Sequence, residues 1–246
     1  MRGQKGTCLQ TYIPIRAEAS SSSEIVSSLI FGESYIVNDT KENWLSISTF
    51  FDDYSGWISA NTFNEYVELT KTNDLLYIEA VHKTEKMFIP CGALIPDTRF
   101  IKINDMDFEV KPNLKPNHHL PLRLQIEKVS KSFLNTPYLW GGRTFMGIDC
   151  SGFVQIVFKT LKINLPRDTS QQIFMGEKIS FNALNTGDLV FFSAPNKEKV
   201  SHVGIMLNKK EVIHASGTVR ISLVNEKGIS NKDGLEYALI SCNRIF

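Results

Sequence analysis

Twelve residues, Lys111 to Leu122, divide this chain: "KPNLKPNHHLPL" holds three prolines and two asparagines. Proline locks φ and lacks an amide donor, so the stretch can form neither a helix nor an interior strand and reads as a linker. The texture changes across it. Before it lie short β-type runs without a helical period, and after it come two helical segments followed by strands. A multi-domain chain is expected, with small β-modules leading into an α+β domain.

Residues 1–65 supply "LQTYIPIR", "IVSSLIFGESYIVND", "WLSIST" and "GWISANTF", short strands between polar turns, as in a small barrel. Trp44 and Trp57 are expected in its core. Residues 66–110 continue with "YVELT", "LLYIEAVH", "MFIPCGALIP" and "RFIKINDMDFEV", a second small β-module without residue-by-residue repetition of the first. The linker covers 111–122. Its adjacent His118 and His119 lack the usual spacing of zinc ligands and read as solvated. The third region, 123–246, opens with the amphipathic "LRLQIEKVSKSFLNTP", expected to stop at Pro137.

The second helical segment carries the chemistry. In "YLWGGRTFMGIDCSGFVQIVFKTL" the apolar Phe153, Ile156, Val157 and Leu161 fall at helical spacing and predict a core-facing helix of about three turns. Asp149 is a good N-cap, which puts Cys150 in the first turn. There, unpaired amides and the helix dipole favour thiolate over thiol. Equally, cysteine is a common buried space-filler. A thiolate nucleophile would need a proton acceptor, and histidine titrates in the right range. His202 in "VSHVGIML" and His214 in "EVIHASG" flank the polar turn "NKKE", centred on Asn208. With a period of two along each strand they should share a face of the hairpin, provided it has no bulge. They could also be ordinary hydrogen-bonded strand residues, or zinc ligands together with Cys150.

A formal charge of +1, with no basic cluster interleaved with aromatics, points away from nucleic acid and anionic membranes. No run approaches the roughly 20 apolar residues of a membrane span. The N-terminus "MRGQKGTCLQTYIPIRAEAS" lacks an apolar signal-peptide core, so a cytoplasmic location is expected, or a periplasmic or secreted one had a leader been removed. Four scattered cysteines, Cys8, Cys91, Cys150 and Cys242, contain no CxxC pair and suggest neither a zinc ribbon nor a disulfide framework. No cofactor or metal is implied, and a monomer is the default.

Taken in order, "TPYLWGGRTFMGIDCSGFVQ", "LPRDTSQQ", "TGDLVFF", "SHVGIML" and "VIHASG" resemble the NlpC/P60 family of cysteine peptidases, which cut peptidoglycan stem peptides. The resemblance covers about residues 123–246 and implies a papain-like α+β domain. It makes Cys150 the nucleophile, His202 the base and His214 the orienting residue. "IPIRAEASSSSEIVSSLIFGE" and "WLSISTFFDDYSGWI" resemble bacterial SH3-like (SH3b) modules, and the second β-module is a divergent one. The layout is similar to the YkfC-type γ-D-glutamyl-L-diamino acid endopeptidases. That likeness implies a free murein peptide as substrate, L-Ala-γ-D-Glu-diamino acid with an unblocked N-terminus.

The same resemblance assigns substrate contacts. Asp168 of "LPRDTSQQ" would hold the free amine, and Arg167 would serve a substrate carboxylate or a structural pair. Tyr138 and Trp140 would wall the cleft or simply pack. Asp149 and Ser151, flanking Cys150, join the substrate-binding set, as do Tyr54 of "DDYSGW" and Glu24 of "SSSEIV". Rival readings are a wall-lytic hydrolase acting on intact peptidoglycan and a catalytically silent wall-binding protein.

Overall fold

A computed structural model describes residues 1–96, 98–103, 105–111 and 120–246, so most of the expected linker, with His118 and His119, lies outside the described residues. The chain divides into two compact units, Met1–Pro116 with Trp140–Phe145, and Asn117–Leu139 with Met146–Phe246.

In the first unit, β1 (Lys5–Thr7), β2 (Tyr12–Arg16), β3 (Ile25–Ile30), β4 (Ser34–Lys41), β5 (Trp44–Thr49) and β6 (Ser55–Ser59) form a small antiparallel β-barrel in the order β1-β4-β5-β6-β2-β3. Its core is Cys8, Ile13, Ile15, Leu29, Tyr35, Val37, Leu45, Ile47 and Ile58. The expected core tryptophans are not among them. Leu45, Ile47 and Thr49 take the inward face of β5, so Trp44 falls on the outward one, and Ile58 likewise turns Trp57 outward; both rings are half-buried. The run "IVSSLIFGESYIVND" contains two strands, split by the turn at Phe31–Glu33. Next come β7 (Lys71–Thr72), β8 (Tyr77–His82), β9 (Glu85–Pro90), β10 (Leu94–Ile95), β11 (Phe100–Ile103) and β12 (Met106–Lys111). They form a two-stranded β10-β7 pair and a four-stranded sheet ordered β11-β12-β8-β9.

Trp140–Phe145, with β13 (Arg143–Thr144), belongs to this first unit. Trp140 Nε1 donates to Glu24 Oε1 at 2.5 Å. Gly141, at φ 76°, sits where a Cβ would lie 2.4 Å from the Ile25 carbonyl oxygen, a position only glycine can occupy. Arg143 is buried against both carboxylate oxygens of Glu33, at 2.8 and 2.9 Å, and donates to the Ser28 carbonyl at 2.6 Å. Phe145 packs on Tyr77 and Phe88.

The second unit contains α1 (Leu122–Ser132), β14 (Gly147–Ile148), α2 (Cys150–Lys159), α3 (Thr169–Gln172) and seven strands. These are β15 (Glu177–Lys178), β16 (Leu189–Ser193), β17 (Val200–Met206), β18 (Glu211–Ser216), β19 (Thr218–Asn225), β20 (Gly228–Asn231) and β21 (Gly234–Arg244). The antiparallel sheet runs β15-β21-β16-β17-β18-β19-β20, and the long β21 also pairs with β20, closing the ring. One face buries Val190, Phe192, Met206, Val212, Val224, Ile229 and Cys242. Helix α2 packs on β17 and β18. All ten of its residues are buried, so it is a central helix enclosed on every side and not an amphipathic one. Helix α1 ends at Ser132, ahead of Pro137; Asn135, at φ 68°, turns the chain in the left-handed region.

Candidate active site

Cys150 begins α2 as expected. The Asp149 carboxylate accepts from the Gly152 amide at 2.7 Å, a cap worth about 1 kcal/mol. The same carboxylate takes the Arg167 guanidinium in a two-armed pair, at 3.0 and 2.5 Å, and Arg167 also donates to Ser151 Oγ at 2.8 Å. Of the two uses set out for Arg167, the structural pair is the one observed. Asp149, Ser151 and Arg167 are all buried and spend polar atoms on one another, fixing the start of the helix. Gln172 of the same "LPRDTSQQ" stretch donates to the carbonyls of Ser151 and Pro166, at 3.1 and 2.8 Å.

The sulfur lies between two elements. Thr169 Oγ1 of α3 is 3.8 Å from Sγ. The backbone N–H of Val203, the residue after His202, also favours the thiolate, as does Arg167. Burial and the Asp149 charge outweigh these, pushing the thiol up to about 11. Burial of a group only 5% exposed thus opposes the thiolate that a helix start favours.

His202 and His214 meet, with His202 Nε2 2.7 Å from His214 Nδ1. The register differs from that expected. Ile205 pairs with Ile213 and Met206 with Val212, which centres the hairpin on Lys209. The turn is set by Asn208, whose Oδ1 accepts from the amides of Lys210 and Glu211, at 2.9 and 3.0 Å. Moving the centre by one residue moves each partner by two, so the shared face survives and the contact becomes diagonal. Gly204 occupies the place opposite His214; a Cβ there would lie 2.5 Å from Val212 Cγ2 and 3.1 Å from His214 Cβ. A bulge exists on the other side of β17, where Ser201 is the extra residue between pairs with Phe192 and Ser193. Bulges of this kind re-aim side chains beside active sites.

Four residues that sequence reasoning did not single out complete the surroundings. Tyr237 stacks on His202 with ring centroids 4.2 Å apart and 14° between planes, and its hydroxyl lies 2.9 Å from Ser216 Oγ. Ser222 Oγ is 2.9 Å from His214 Nε2. Arg220, opposite His214 on β19, pairs with Glu236 at 2.5 Å. Thr169 is the fourth. Period-two spacing puts Arg220 and Ser222 on one face, but nothing in the sequence says which strand lies beside His214.

Burial, then Arg220, lowers His214 to about 3. Burial, then His214 and Arg220, holds His202 well below the usual imidazole range. Tyr138, half-buried, is raised first by burial and then by the charges of Cys150, Asp149 and Tyr237. Asp168 is half-buried at the N-cap position of α3, next to Thr169. Glu24, Tyr54 and Trp140 lie in the first unit, and Glu24 is joined to Trp140 there. Cys8, Cys91 and Cys242 are buried and take part in no disulfide among the described residues. Among the described residues no three His, Cys, Asp or Glu side chains converge as they would around a metal ion, and no helix is long and apolar enough to cross a membrane.

Residues 135–234 match the model of the NlpC/P60 family. The chain is 37% identical over 118 residues to an Escherichia coli protein named probable endopeptidase NlpC, across 46% of this chain and 77% of that one. It is 26% identical over 247 residues to a Bacillus cereus protein named gamma-D-glutamyl-L-lysine dipeptidyl-peptidase, across 85% of this chain and 73% of the relative. A crystal structure of an NlpC/P60 family protein from Bacillus cereus superposes with a TM-score of 0.77 at 17% identity, over 98% of this chain and 99% of that one, a likeness of fold.

Proposed function

The chain belongs to the NlpC/P60 family, and on that premise we propose that it is a cysteine peptidase of peptidoglycan stem peptides, with Cys150 as nucleophile, His202 as base and His214 as the group that orients it. One observation carries the reading. A capped helix start sets the Cys150 sulfur against the amide next to His202, and His202 is itself bonded to His214.

The thiol gives its proton to His202 as sulfur attacks the amide carbonyl, forming a carbon–sulfur bond. Backbone N–H groups at the start of α2 stabilise the oxyanion. His202 then protonates the leaving amine, the carbon–nitrogen bond breaks, and a thioester remains. Water, deprotonated by His202, adds to the thioester; the acid product departs and the thiol is restored. We read the acyl group as γ-D-glutamyl and the leaving amine as a diamino acid, meso-diaminopimelate or L-lysine. The name of the Bacillus cereus relative supports this. The finer reading is a recycling enzyme for free murein peptides, with residues 1–65 and 66–110 as SH3b-like modules and a cytoplasmic location.

In this reading Asp168 holds the free N-terminal ammonium of L-Ala, a charge-assisted bond that an acetylated amine cannot form. The test is mass spectrometry and kcat/KM on L-Ala-γ-D-Glu-meso-diaminopimelate, its L-lysine counterpart, their N-acetylated forms and intact peptidoglycan. Release of L-Ala-γ-D-Glu is expected, with acetylated and wall-linked forms cut about a hundredfold more slowly, the scale of losing a hydrogen bond to a charged group. Asp168→Asn should narrow that gap by slowing the free peptide. Equal rates on free and acetylated peptides would mean a wall-lytic enzyme instead. Cys150→Ala should abolish cleavage; retained turnover in that variant would remove the nucleophile assignment.

A further inference from the structure

We infer that Ser222 is a positioning residue for the histidine pair: by accepting from His214 Nε2–H it supports the tautomers in which His202 Nδ1 is bare, the nitrogen that the proposed reaction needs to take the Cys150 proton. The inference rests on the reaction proposed above and extends it by one residue.

A neutral imidazole carries one proton, on one of its two nitrogens. The 2.7 Å contact between His202 Nε2 and His214 Nδ1 holds a single proton, so the pair has two arrangements. In the first, His202 Nε2–H donates to His214 Nδ1, which leaves His202 Nδ1 as a lone pair and puts the His214 proton on Nε2, 2.9 Å from Ser222 Oγ. In the second, His214 Nδ1–H donates to His202 Nε2, and His202 carries Nδ1–H, so neither of its nitrogens is left to take a proton from the thiol. Only the first arrangement permits the step that generates the nucleophile.

His202 is 4% exposed and His214 fully buried, so the partners of their ring nitrogens come from the protein. Tyr237 fixes the plane of the His202 ring by stacking and is itself tied to Ser216, which leaves the choice between arrangements to the far end of the pair. A buried N–H without an acceptor is less tolerable than a bare ring lone pair. Removing the Ser222 hydroxyl therefore penalises the first arrangement and favours the second. The serine acts through His214 and touches neither substrate nor sulfur.

The test uses the full chain with 15N-labelled histidine, reading tautomers from two-bond proton–nitrogen correlation spectra, alongside kcat and KM on the free tripeptide. Wild type should show Nε2–H on both His202 and His214. In Ser222→Ala, Nδ1–H forms should appear on both rings and kcat should fall about tenfold with KM within about twofold, the scale of one hydrogen bond. Ser222→Thr, which keeps the hydroxyl, should restore spectrum and rate together. Wild-type rings in the Nδ1–H form, or unchanged tautomers and kcat in Ser222→Ala, would overturn the inference. If wild type cuts none of the peptides, the proposed reaction fails while the spectra still decide the role of Ser222.

Discussion

Burial and the Asp149 charge push the Cys150 thiol up, and burial pulls His202 and His214 below the usual imidazole range, so all three shifts favour the neutral forms before substrate arrives. The proton therefore moves as the carbonyl is attacked and not beforehand. Alkylation of the free enzyme tests this directly. With the thiol pushed up to about 11, the rate of inactivation by iodoacetamide should climb about tenfold per pH unit from pH 6 to 9. A plateau across pH 6 to 8 would instead mean a preformed thiolate–imidazolium pair. The helix start, its aspartate cap and the cysteine behind it were legible in the sequence because capping is local chemistry. The sign of the thiol's shift was not, since it depends on burial supplied by α3 and β17, elements distant in the chain.

Strand pairing and loop anchoring set what the elements contribute. The shared face of His202 and His214 could be read from alternation. Their diagonal contact could not, because it depends on an Asn208 side chain choosing the turn. The outward positions of Trp44 and Trp57 follow the same rule of alternation, which outranks the apolar bulk of the tryptophan side chain. Least legible was the six-residue stretch Trp140–Phe145, which sits in the first unit although the motif around it runs into α2. Its anchor is the Arg143–Glu33 pair, 2% exposed on each side, and Glu33 also accepts from the Ile30 amide at 2.9 Å. Glu33→Gln keeps the shape and leaves an uncompensated buried guanidinium, so stability should drop by about 3 kcal/mol in chemical denaturation. Adding Arg143→Gln should recover part of the loss. A single variant within about 0.5 kcal/mol of wild type would show that solvent reaches the arginine.

At the scale of the whole molecule, the buried titratable groups bound the pH range in which the chain is stable. His202 and His214 bind protons more weakly in the folded protein than in the unfolded chain. From about pH 6.5 downward, toward the His214 value of about 3, the unfolded chain therefore carries the extra protons, and stability falls as pH falls. The thiols Cys150 and Cys242 act at the other end. Both are pushed up to about 11 from an ordinary 9.0, so the unfolded chain loses its protons first and stability falls as pH rises above about 9. A plateau between about pH 6.5 and 9 is expected. On its acid side each buried histidine contributes a slope of up to about 1.4 kcal/mol per pH unit. His214→Gln keeps a polar side chain without the titration, so its denaturation free energy should decline less steeply than wild type between pH 6.5 and 4.5, by about that amount per unit. Carboxylates titrating in the same range cancel in the comparison, because both proteins carry them. Parallel slopes for the two proteins would mean that His214 takes up its proton in the folded state without penalty, and the dry, neutral histidine pair on which the proposed proton transfer depends would be lost with it.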